Sequence, residues 1–214
     1  MNGVNNMLNA NAYNGVVDGN LQQGAESSYA AIKFDVKTKE GACWALSVMW
    51  MAHRSTTTGT FADFLAWIKR PSGIKMMNNS QVEHAKRKDS GESSKVYLKE
   101  WLKKQFFIID DNTDHTEVDW PTNEAGVSAL TDPETYKFIN LQFGSGGHAI
   151  ACHSYPGGVT FFDPNYGQFT FPSHANFKRW MVSELLPEYN NSFGLEWFRI
   201  TNVHRGIGPA KPIA

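Results

Sequence analysis

The sequence predicts an α+β protein, because helical and strand patterns occupy different halves of the chain. Apolar residues recur at helical spacing between about residues 43 and 105. From about residue 106 to residue 205, short strand-like runs rich in aromatic and β-branched residues alternate with glycine-rich turns. This order predicts a helical N-terminal lobe packed on an antiparallel β-sheet lobe.

Length and composition limit the function classes. The chain has 214 residues, of which 41% are hydrophobic and 13% aromatic, enough for one domain or for two lobes sharing a cleft. The net charge of −1 gives no overall attraction to nucleic acid or to membrane surfaces. No apolar run approaches the length of a transmembrane helix. The first residues have neither the basic nor the apolar region of a Sec signal peptide.

Composition also divides the chain into three parts. Residues 1–30 are rich in Asn, Gly, Gln and Ser, which predicts a flexible or loosely packed lead segment. Residues 31–205 are expected to form the folded domain, with the alternating stretch 31–36 as a strand or an extended approach to it. The last residues, 206–214, are expected to be a tail.

Helix start and stop signals divide the first lobe. Thr60 and Asp63 form a capping pair, and Pro71 is expected to end the helix that follows. A second capping-box signature is Ser80-Gln81-Val82-Glu83. The predicted helices therefore cover residues 43–54, 60–70, a stretch beginning at residue 80, and 93–106.

The second lobe is predicted from strand patterns and the turns between them. Residues 110–124 are acidic and rich in turn formers, so they are expected to form an exposed loop, and 125–132 a helix or a loop. An amphipathic helix is predicted over 173–186. The predicted strands are 106–109, 136–143, 148–155, 159–163, 168–171 and 195–203.

Cys43 is the best candidate for a catalytic nucleophile. It lies in Gly41-Ala42-Cys43-Trp44-Ala45-Leu46-Ser47, where small residues precede a helix. The partial positive charge of a helix N-terminus favours thiolate over thiol. Small residues before the cysteine let a substrate carbonyl approach the backbone. A buried structural thiol is the alternative interpretation, but this position suits chemistry better than packing.

His148 and Asp163 are the candidate base and its orienting group. His148 follows Gly146 and Gly147, which would leave its ring reachable from a cleft. Asp163 ends a predicted strand whose antiparallel neighbour begins with His148, so hairpin pairing would bring the two together. The alternative is that Asp163 only starts an Asp-Pro-Asn turn, which Asp favours anyway. A nucleophile, a base and an orienting group together have the logic of a thiol protease.

No metal site, cofactor or disulfide is expected. His148 and His153 have opposite parity on one strand and therefore face opposite sides of the sheet, which argues against shared metal ligation with Cys152. Cys152 alternates with Ile150 and is expected to be a small buried hydrophobe. Cys43 and Cys152 lie in different surroundings, so a bridge between them is not expected.

The three motifs around Cys43, His148 and Asp163 resemble those of the papain-like clan. Papain itself uses Asn as the third element, whereas Asp in Asp163-Pro164-Asn165-Tyr166-Gly167 is similar to the YopT-type (AvrPphB-like) family of bacterial effector cysteine proteases. The order Cys, His, Asp also matches that family, and the resemblance covers about residues 35–205. It implies a papain-like fold with a catalytic cleft between the lobes, and the roles of nucleophile, base and orienting group for the three residues.

The resemblance is incomplete at the oxyanion hole. One donor is expected to be the backbone N–H of Cys43. Papain-type enzymes add a Gln upstream of the cysteine, but here Lys37-Thr38-Lys39-Glu40 contains none. Thr38 is the candidate replacement, with Gln22, Gln23 and Asn20 as alternatives. Trp44 and Gly147 are candidates for the cleft wall, although Trp44 could equally be a core aromatic.

The resemblance implies a cysteine endopeptidase effector or toxin that cleaves a specific protein in a target cell through a thioester acyl-enzyme. Such a protein would be secreted without a Sec signal and act in the target-cell cytoplasm. Its expected partners are the protein substrate and a cognate immunity or inhibitor protein, and autocleavage within residues 1–35 is also expected. Two alternatives are a glutamine deamidase or acyltransferase with the same triad, and a papain-fold binding module of weak catalytic power.

Overall fold

One eight-stranded antiparallel sheet with helices on both faces forms the protein. The computed structural model describes residues 8–21, 41–56, 59–104, 107–109, 115–119, 124–132, 135–144 and 146–205. The strands are β1 Val16–Gly19, β2 Phe107–Ile109, β3 His115–Asp119, β4 Thr135–Phe143, β5 Gly146–Tyr155, β6 Gly158–Asp163, β7 Gly167–Phe171 and β8 Leu195–Arg205. The α-helices are α1 Cys43–Thr56, α2 Phe61–Ile68, α3 Pro71–Asp89, α4 Ser94–Lys104, α5 Glu124–Ala129, α6 His174–Trp180 and α7 Leu186–Phe193.

The strand order is β1-β7-β6-β5-β4-β8-β2, with β3 also paired to β8. The central strands β4, β5 and β6 follow one another in the chain as two hairpins. In the first hairpin Leu141 lies opposite His148, and in the second Ala151 lies opposite Phe162. The N-terminal end of β5 and the C-terminal end of β6 therefore lie side by side.

The two faces of the sheet belong to two hydrophobic cores, since alternate residues of a strand point to opposite faces. Phe138, Ala149 and Phe162 pack into the core that contains α1, α2 and α4. Ile139, Ile150 and Phe161 pack into the other core, with the buried side chains of α6 and α7.

Helix α1 lies inside the first core. Every residue from Cys43 to His53 is buried, as expected of a helix that is apolar around most of its circumference. Ser47 Oγ donates a hydrogen bond of 2.9 Å to the carbonyl of Ala149 on β5. Trp50 Nε1 donates one of 2.7 Å to Gln168 Oε1 on β7. These two bonds fix the helix against the sheet near the start of β5.

The predicted α+β fold is confirmed, but the prediction that residues 1–30 are flexible or loosely packed is wrong for residues 8–21. Strand β1 pairs with β7, and Leu8, Ala10 and Leu21 are buried. The average composition of residues 1–30 does not reveal this packing, because a few apolar side chains are buried in the core while the polar residues between them face solvent. Two other predictions, a strand or extended approach over 31–36 and a tail over 206–214, concern residues outside the described part of the chain.

Two predicted boundaries in the first lobe are corrected. Helix α3 runs without a break from Pro71 to Asp89, so no helix begins at Ser80. Ser80 is buried in the helix interior, and its Oγ accepts a hydrogen bond of 3.0 Å from Trp101 Nε1. The Ser80 hydroxyl therefore bonds to a side chain of another helix instead of capping a helix. Pro71 opens α3 rather than only closing α2, because its missing N–H costs nothing in a first helical turn.

Two corrections concern the second lobe. Residues 115–119, expected within an exposed loop, form β3 on the edge of β8, since long-range pairing overrides a turn-rich local composition. The helix predicted over 173–186 is longer. After α6 it passes through one π-helical turn, Met181–Leu185, and continues as α7 to Phe193. Pro187 is tolerated because it lies in the first turn of α7.

Candidate active site

Cys43 opens the buried helix α1. The chain enters through Gly41, whose φ of 91° is a conformation that side chains other than glycine rarely adopt. The carbonyl of Ala42 accepts the first helical hydrogen bond, 2.8 Å from the N–H of Leu46. Cys43 and Ser47 lie one turn apart on one helix face. Because Ser47 is bonded to Ala149, Cys43 comes to lie beside His148.

His148 lies between Cys43 and Asp163. Its Nε2 is 2.9 Å from Asp163 Oδ1, which leaves Nδ1 for the hydrogen bond that links the ring to the Cys43 thiol. The ring also stacks on Tyr189, with centroids 5.5 Å apart and an interplanar angle of 30°. Only 6% of His148 is exposed, so these contacts largely determine its orientation.

Asp163 is completely buried and held by three donors. Besides His148, its Oδ1 accepts a hydrogen bond of 2.8 Å from the backbone N–H of Asn165. Its Oδ2 accepts one of 2.8 Å from the hydroxyl of Tyr189. The bond to Asn165 is the Asx turn that the alternative interpretation of Asp163 invoked. The turn and the contact with His148 therefore occur together on the same carboxylate.

The electrostatics favour a charged pair between sulfur and ring. Burial alone would raise the pKa of the Cys43 thiol, but the hydrogen bond and the charge of His148 bring that pKa below its ordinary value. Burial alone would lower the pKa of His148, but the charge and hydrogen bond of Asp163, and then those of Cys43, raise it above its ordinary value. Both shifts favour thiolate and imidazolium at neutral pH.

Tyr189 is a site residue that sequence reasoning missed. It lies on α7, one turn beyond the π-helical segment Met181–Leu185, which inserts extra backbone into the helix and changes the face that the following residues present. Burial, and then the charge of Asp163, raises the pKa of Tyr189 well above its ordinary value. Its hydroxyl therefore stays protonated and donates. A single sequence offers only a weak signal, a tyrosine on the buried face of a helix.

A cavity of about 460 Å³ opens beside these residues. Cys43 and His148 line it, as do both residues predicted for the cleft wall, Trp44 and Gly147. Trp44 is also a core aromatic that stacks against the rings of His84 and Tyr97, with both centroid distances at 4.8 Å. The two interpretations of Trp44 are thus compatible.

The upstream candidates for the oxyanion hole do not form part of the described site. Thr38, Gln22 and Gln23 lie outside the described residues, and Asn20 is exposed. Gln81 on α3, which sequence analysis treated only as part of a helix start, is buried and lines the cavity.

His153 and Cys152, the other two residues considered for metal ligation, lie away from the cavity. His153 stacks on Tyr136 at 4.2 Å on the α1 side of the sheet, whereas Cys152 belongs to the other core. Cys43 and Cys152 are both free thiols. Among the residues that the structure describes, no group of three or more His, Cys, Asp or Glu could hold a metal ion. The same residues include no helix long and apolar enough to cross a membrane.

Comparison with curated proteins gives relatives of this chain. The protein adenylyltransferase and cysteine protease IbpA of Histophilus somni is 24% identical over 187 residues, which are 79% of this chain and 5% of that protein. Cysteine protease YopT of Yersinia pestis is 43% identical over 49 residues, which are 22% of this chain and 15% of that protein. The matches thus span only small parts of these two relatives.

Comparison with solved structures supports the fold. The avirulence protein AvrPphB of Pseudomonas superposes with a TM-score of 0.63 at 15% identity, covering 81% of this chain and 98% of that one. At this identity the likeness concerns the fold, which agrees with the predicted papain-like architecture.

A family profile decides the classification. The profile of peptidase family C58, described as Yersinia/Haemophilus virulence surface antigen, matches residues 9–205. This match spans most of the chain and confirms both the family resemblance and the predicted enzyme class. The chain belongs to peptidase family C58, the YopT-type cysteine proteases.

Proposed function

We propose that this protein is an endopeptidase in which Cys43 is the nucleophile, His148 the general base and acid, and Asp163 the group that orients the imidazole. The single observation that carries the proposal is the buried pair of His148 and Asp163, with Nε2 and Oδ1 2.9 Å apart, beside Cys43 at the wall of a cavity. A nucleophile, a base and an orienting group in that order suffice for acyl transfer.

The proposed reaction has two halves. The Cys43 thiolate attacks the carbonyl carbon of a peptide bond, and the tetrahedral intermediate collapses to a thioester as the imidazolium of His148 gives its proton to the leaving amine. Water then enters. His148 takes a proton from this water as it attacks the thioester, and the departing thiolate then forms the ion pair with the imidazolium again. The carboxylic acid product leaves and the free enzyme is restored.

Asp163 acts in both halves without receiving the proton. Its Oδ1 accepts from Nε2, which keeps Nδ1 directed to the sulfur and stabilises the imidazolium. Its bonds to Asn165 and Tyr189 prevent the carboxylate from turning away. Because all three side chains are largely buried, water competes little for these bonds.

We further propose that the substrate is a protein of a target cell into which this chain is delivered, as the family's description as a virulence surface antigen suggests. A producing cell that contains the same substrate would need a cognate immunity or inhibitor protein. Autocleavage before residue 36 belongs to the same proposal, and intact masses of wild type and Cys43→Ala, purified in parallel, test it. A shorter chain only in wild type would support autocleavage.

The test of the proposed activity is a proteome-wide comparison of new N-termini. Lysates of eukaryotic and bacterial cells are incubated with wild type, with Cys43→Ala and with Cys152→Ala, and N-terminal peptides are identified by mass spectrometry. We expect new N-termini with wild type and Cys152→Ala but not with Cys43→Ala. Cys152→Ala is the matched control, since its thiol is buried in the other core.

Two results would contradict the proposal in different ways. Identical N-termini for wild type and Cys43→Ala would mean that Cys43 cleaves nothing in either lysate. Conversion of a target glutamine to glutamate without a new N-terminus would instead identify a deamidase built on the same triad.

A further inference from the structure

Among the residues that the structure describes, Gln81 is the candidate for a second hydrogen-bond donor beside Cys43. Attack of Cys43 on a carbonyl places negative charge on the carbonyl oxygen, and the backbone N–H of Cys43 can supply one donor to it. Oxyanion holes of this kind combine at least two donors. Asn20, the described member of the upstream candidates, is exposed and therefore does not supply the second donor.

The side chain of Gln81 has a defined direction. Its Oε1 accepts a hydrogen bond of 3.2 Å from the backbone N–H of Ala45. Ala45 belongs to the first turn of α1, where N–H groups have no acceptor within the helix. The oxygen end of the carboxamide thus faces the helix that Cys43 begins. Nε2 is the opposite end of the carboxamide, and Gln81 lines the cavity together with Cys43 and His148.

The carboxamide of Gln81 has its oxygen bonded, and the residue lines the cavity. Gln81 is 6% exposed. Within the part of the chain that the structure describes, Oε1 has a hydrogen-bond partner, and Nε2 is not among the fully buried atoms that lack one. A carboxamide whose oxygen is bonded and whose residue lines a reactive cavity can donate from its nitrogen to a new acceptor.

The backbone of α3 is held firmly next to Gln81. The hydroxyl of Tyr97 donates a hydrogen bond of 3.1 Å to the carbonyl of Ser80, and Trp101 Nε1 donates one of 3.0 Å to Ser80 Oγ. Both donors come from α4 and are buried. A donor that stabilises a transition state must be positioned before the reaction, because reorganisation would cost energy at that moment. These two bonds supply that positioning.

From this geometry we propose that Nε2 of Gln81 is the second donor of the oxyanion hole. The residue comes from a helix downstream of the nucleophile rather than from the segment upstream. The inference rests on the proposed function, since an oxyanion forms only if Cys43 attacks a carbonyl. It makes Gln81 a catalytic residue that contacts the substrate oxygen.

The experiment compares two reactions of the same sulfur. Acylation by p-nitrophenyl acetate passes through an oxyanion, and its rate is read from the burst of nitrophenolate. Alkylation by iodoacetamide is a displacement at carbon that forms no oxyanion. We expect Gln81→Met to lower the acylation rate by at least about 10-fold while alkylation changes less than about 2-fold, since a lost oxyanion donor acts only on the first reaction.

Two further variants keep the result interpretable. Asn79→Met places the same side chain on the exposed side of α3 and is expected to match wild type in both reactions. Gln81→Glu keeps an acceptor for the Ala45 N–H and removes the donor, so its ratio of acylation to alkylation is expected to fall as well, even where the Met variant fails to fold.

Each outcome has one meaning. Equal acylation in wild type and the Gln81 variants, or a parallel loss of both reactions, would overturn the role of Gln81. Loss of acylation in Thr38→Ala together with normal acylation in Gln81→Met would assign the donor to the upstream segment. Absence of a burst in wild type, with normal alkylation, would instead reject the proposed function.

Discussion

The hydroxyl of Tyr189 donates a hydrogen bond of 2.8 Å to Oδ2 of Asp163, while Oδ1 of the same carboxylate lies 2.9 Å from His148 Nε2. One aromatic side chain therefore holds the carboxylate through its hydroxyl and also stacks on the imidazole through its ring. Tyr189 thus positions two members of the proposed triad.

Removal of this hydroxyl is expected to weaken both stability and catalysis. A hydrogen bond to a charged group contributes about 1.5–3 kcal/mol, so Tyr189→Phe should lower the free energy of unfolding by about that amount. We expect kcat/KM to fall about 10-fold through kcat, because a freer carboxylate orients the imidazole less well. Urea unfolding and steady-state kinetics on a cleaved substrate measure the two effects.

The matched control is Tyr166→Phe. The Tyr166 hydroxyl makes only a long hydrogen bond of 3.5 Å, to Glu188 Oε1. Loss of this hydroxyl should change kcat by less than about 2-fold, because a hydrogen bond of 3.5 Å is weak and does not involve Asp163. A kinetic loss equal to that of Tyr189→Phe would show that the effect is not specific to the carboxylate.

Neutralisation of Asp163 should narrow the pH range of activity. Because the Asp163 charge helps to raise the pKa of His148, Asp163→Asn should lower that pKa, and the imidazolium is then lost at lower pH. The Cys43 thiolate loses its charged partner at the same time, so the pKa of the thiol should rise. The ascending limb of the profile of kcat/KM against pH should therefore move to higher pH. We expect kcat/KM at its optimum to fall about 100-fold. If both limbs of the pH profile stay at the wild-type pH, Asp163 only stabilises the Asp-Pro-Asn turn.

The two cysteines should differ strongly in reactivity. The pKa of Cys43 is lowered, whereas burial raises the pKa of Cys152 to about 12, only partly offset by the charge of Lys137. At about pH 6, iodoacetamide should modify Cys43 at least about 100-fold faster than Cys152, since only the thiolate reacts. Peptide mapping after timed quenching measures both sites in one sample. Slow labelling of both sites would revive the binding-module alternative.

His153 should make the fold sensitive to acid. Burial, and then the charge of Arg54, lowers the pKa of His153 to about 4, against an ordinary value of 6.5. The unfolded chain therefore binds the proton first, and stability should decrease as pH falls from about 6.5 to about 4.

His153→Phe tests this origin of the acid sensitivity. Phe retains the stacking on Tyr136 and leaves no ring nitrogen to protonate, while Nδ1 of the native ring is buried with no hydrogen-bond partner among the described residues. The loss of unfolding free energy between neutral and acid pH should be about 1 kcal/mol smaller in the variant, a value reduced for the partial exposure of the ring. An unchanged loss would place the acid sensitivity in other groups.

The fold class and the contact between His148 and Asp163 follow from local patterns. A glycine-rich start, one β-hairpin and an Asp-Pro-Asn turn are all short-range features, and a period-2 strand determines which faces meet. The family and the fold are confirmed, whereas the catalytic roles remain predictions.

Tyr189 and Gln81 were not predictable, because their positions depend on tertiary packing. Tyr189 reaches Asp163 after a π-helical turn that the pattern of one sequence does not reveal. Gln81 contacts α1 from a helix whose position is fixed by hydrogen bonds from Tyr97 and Trp101 to Ser80. The local pattern had instead assigned Ser80 to a helix cap. Residues 8–21 show the same limit, since pairing with β7 overrides a polar composition.

The central claim is that His148 keeps the Cys43 sulfur ionised at neutral pH. The direct measurement is a pH titration of thiolate ultraviolet absorbance, taken as the difference between each protein and its Cys43→Ala counterpart. We expect a full thiolate in wild type at neutral pH, and in His148→Ala a transition moved up toward the ordinary thiol value of 9.0. Identical transitions near that ordinary value in both proteins would contradict the account.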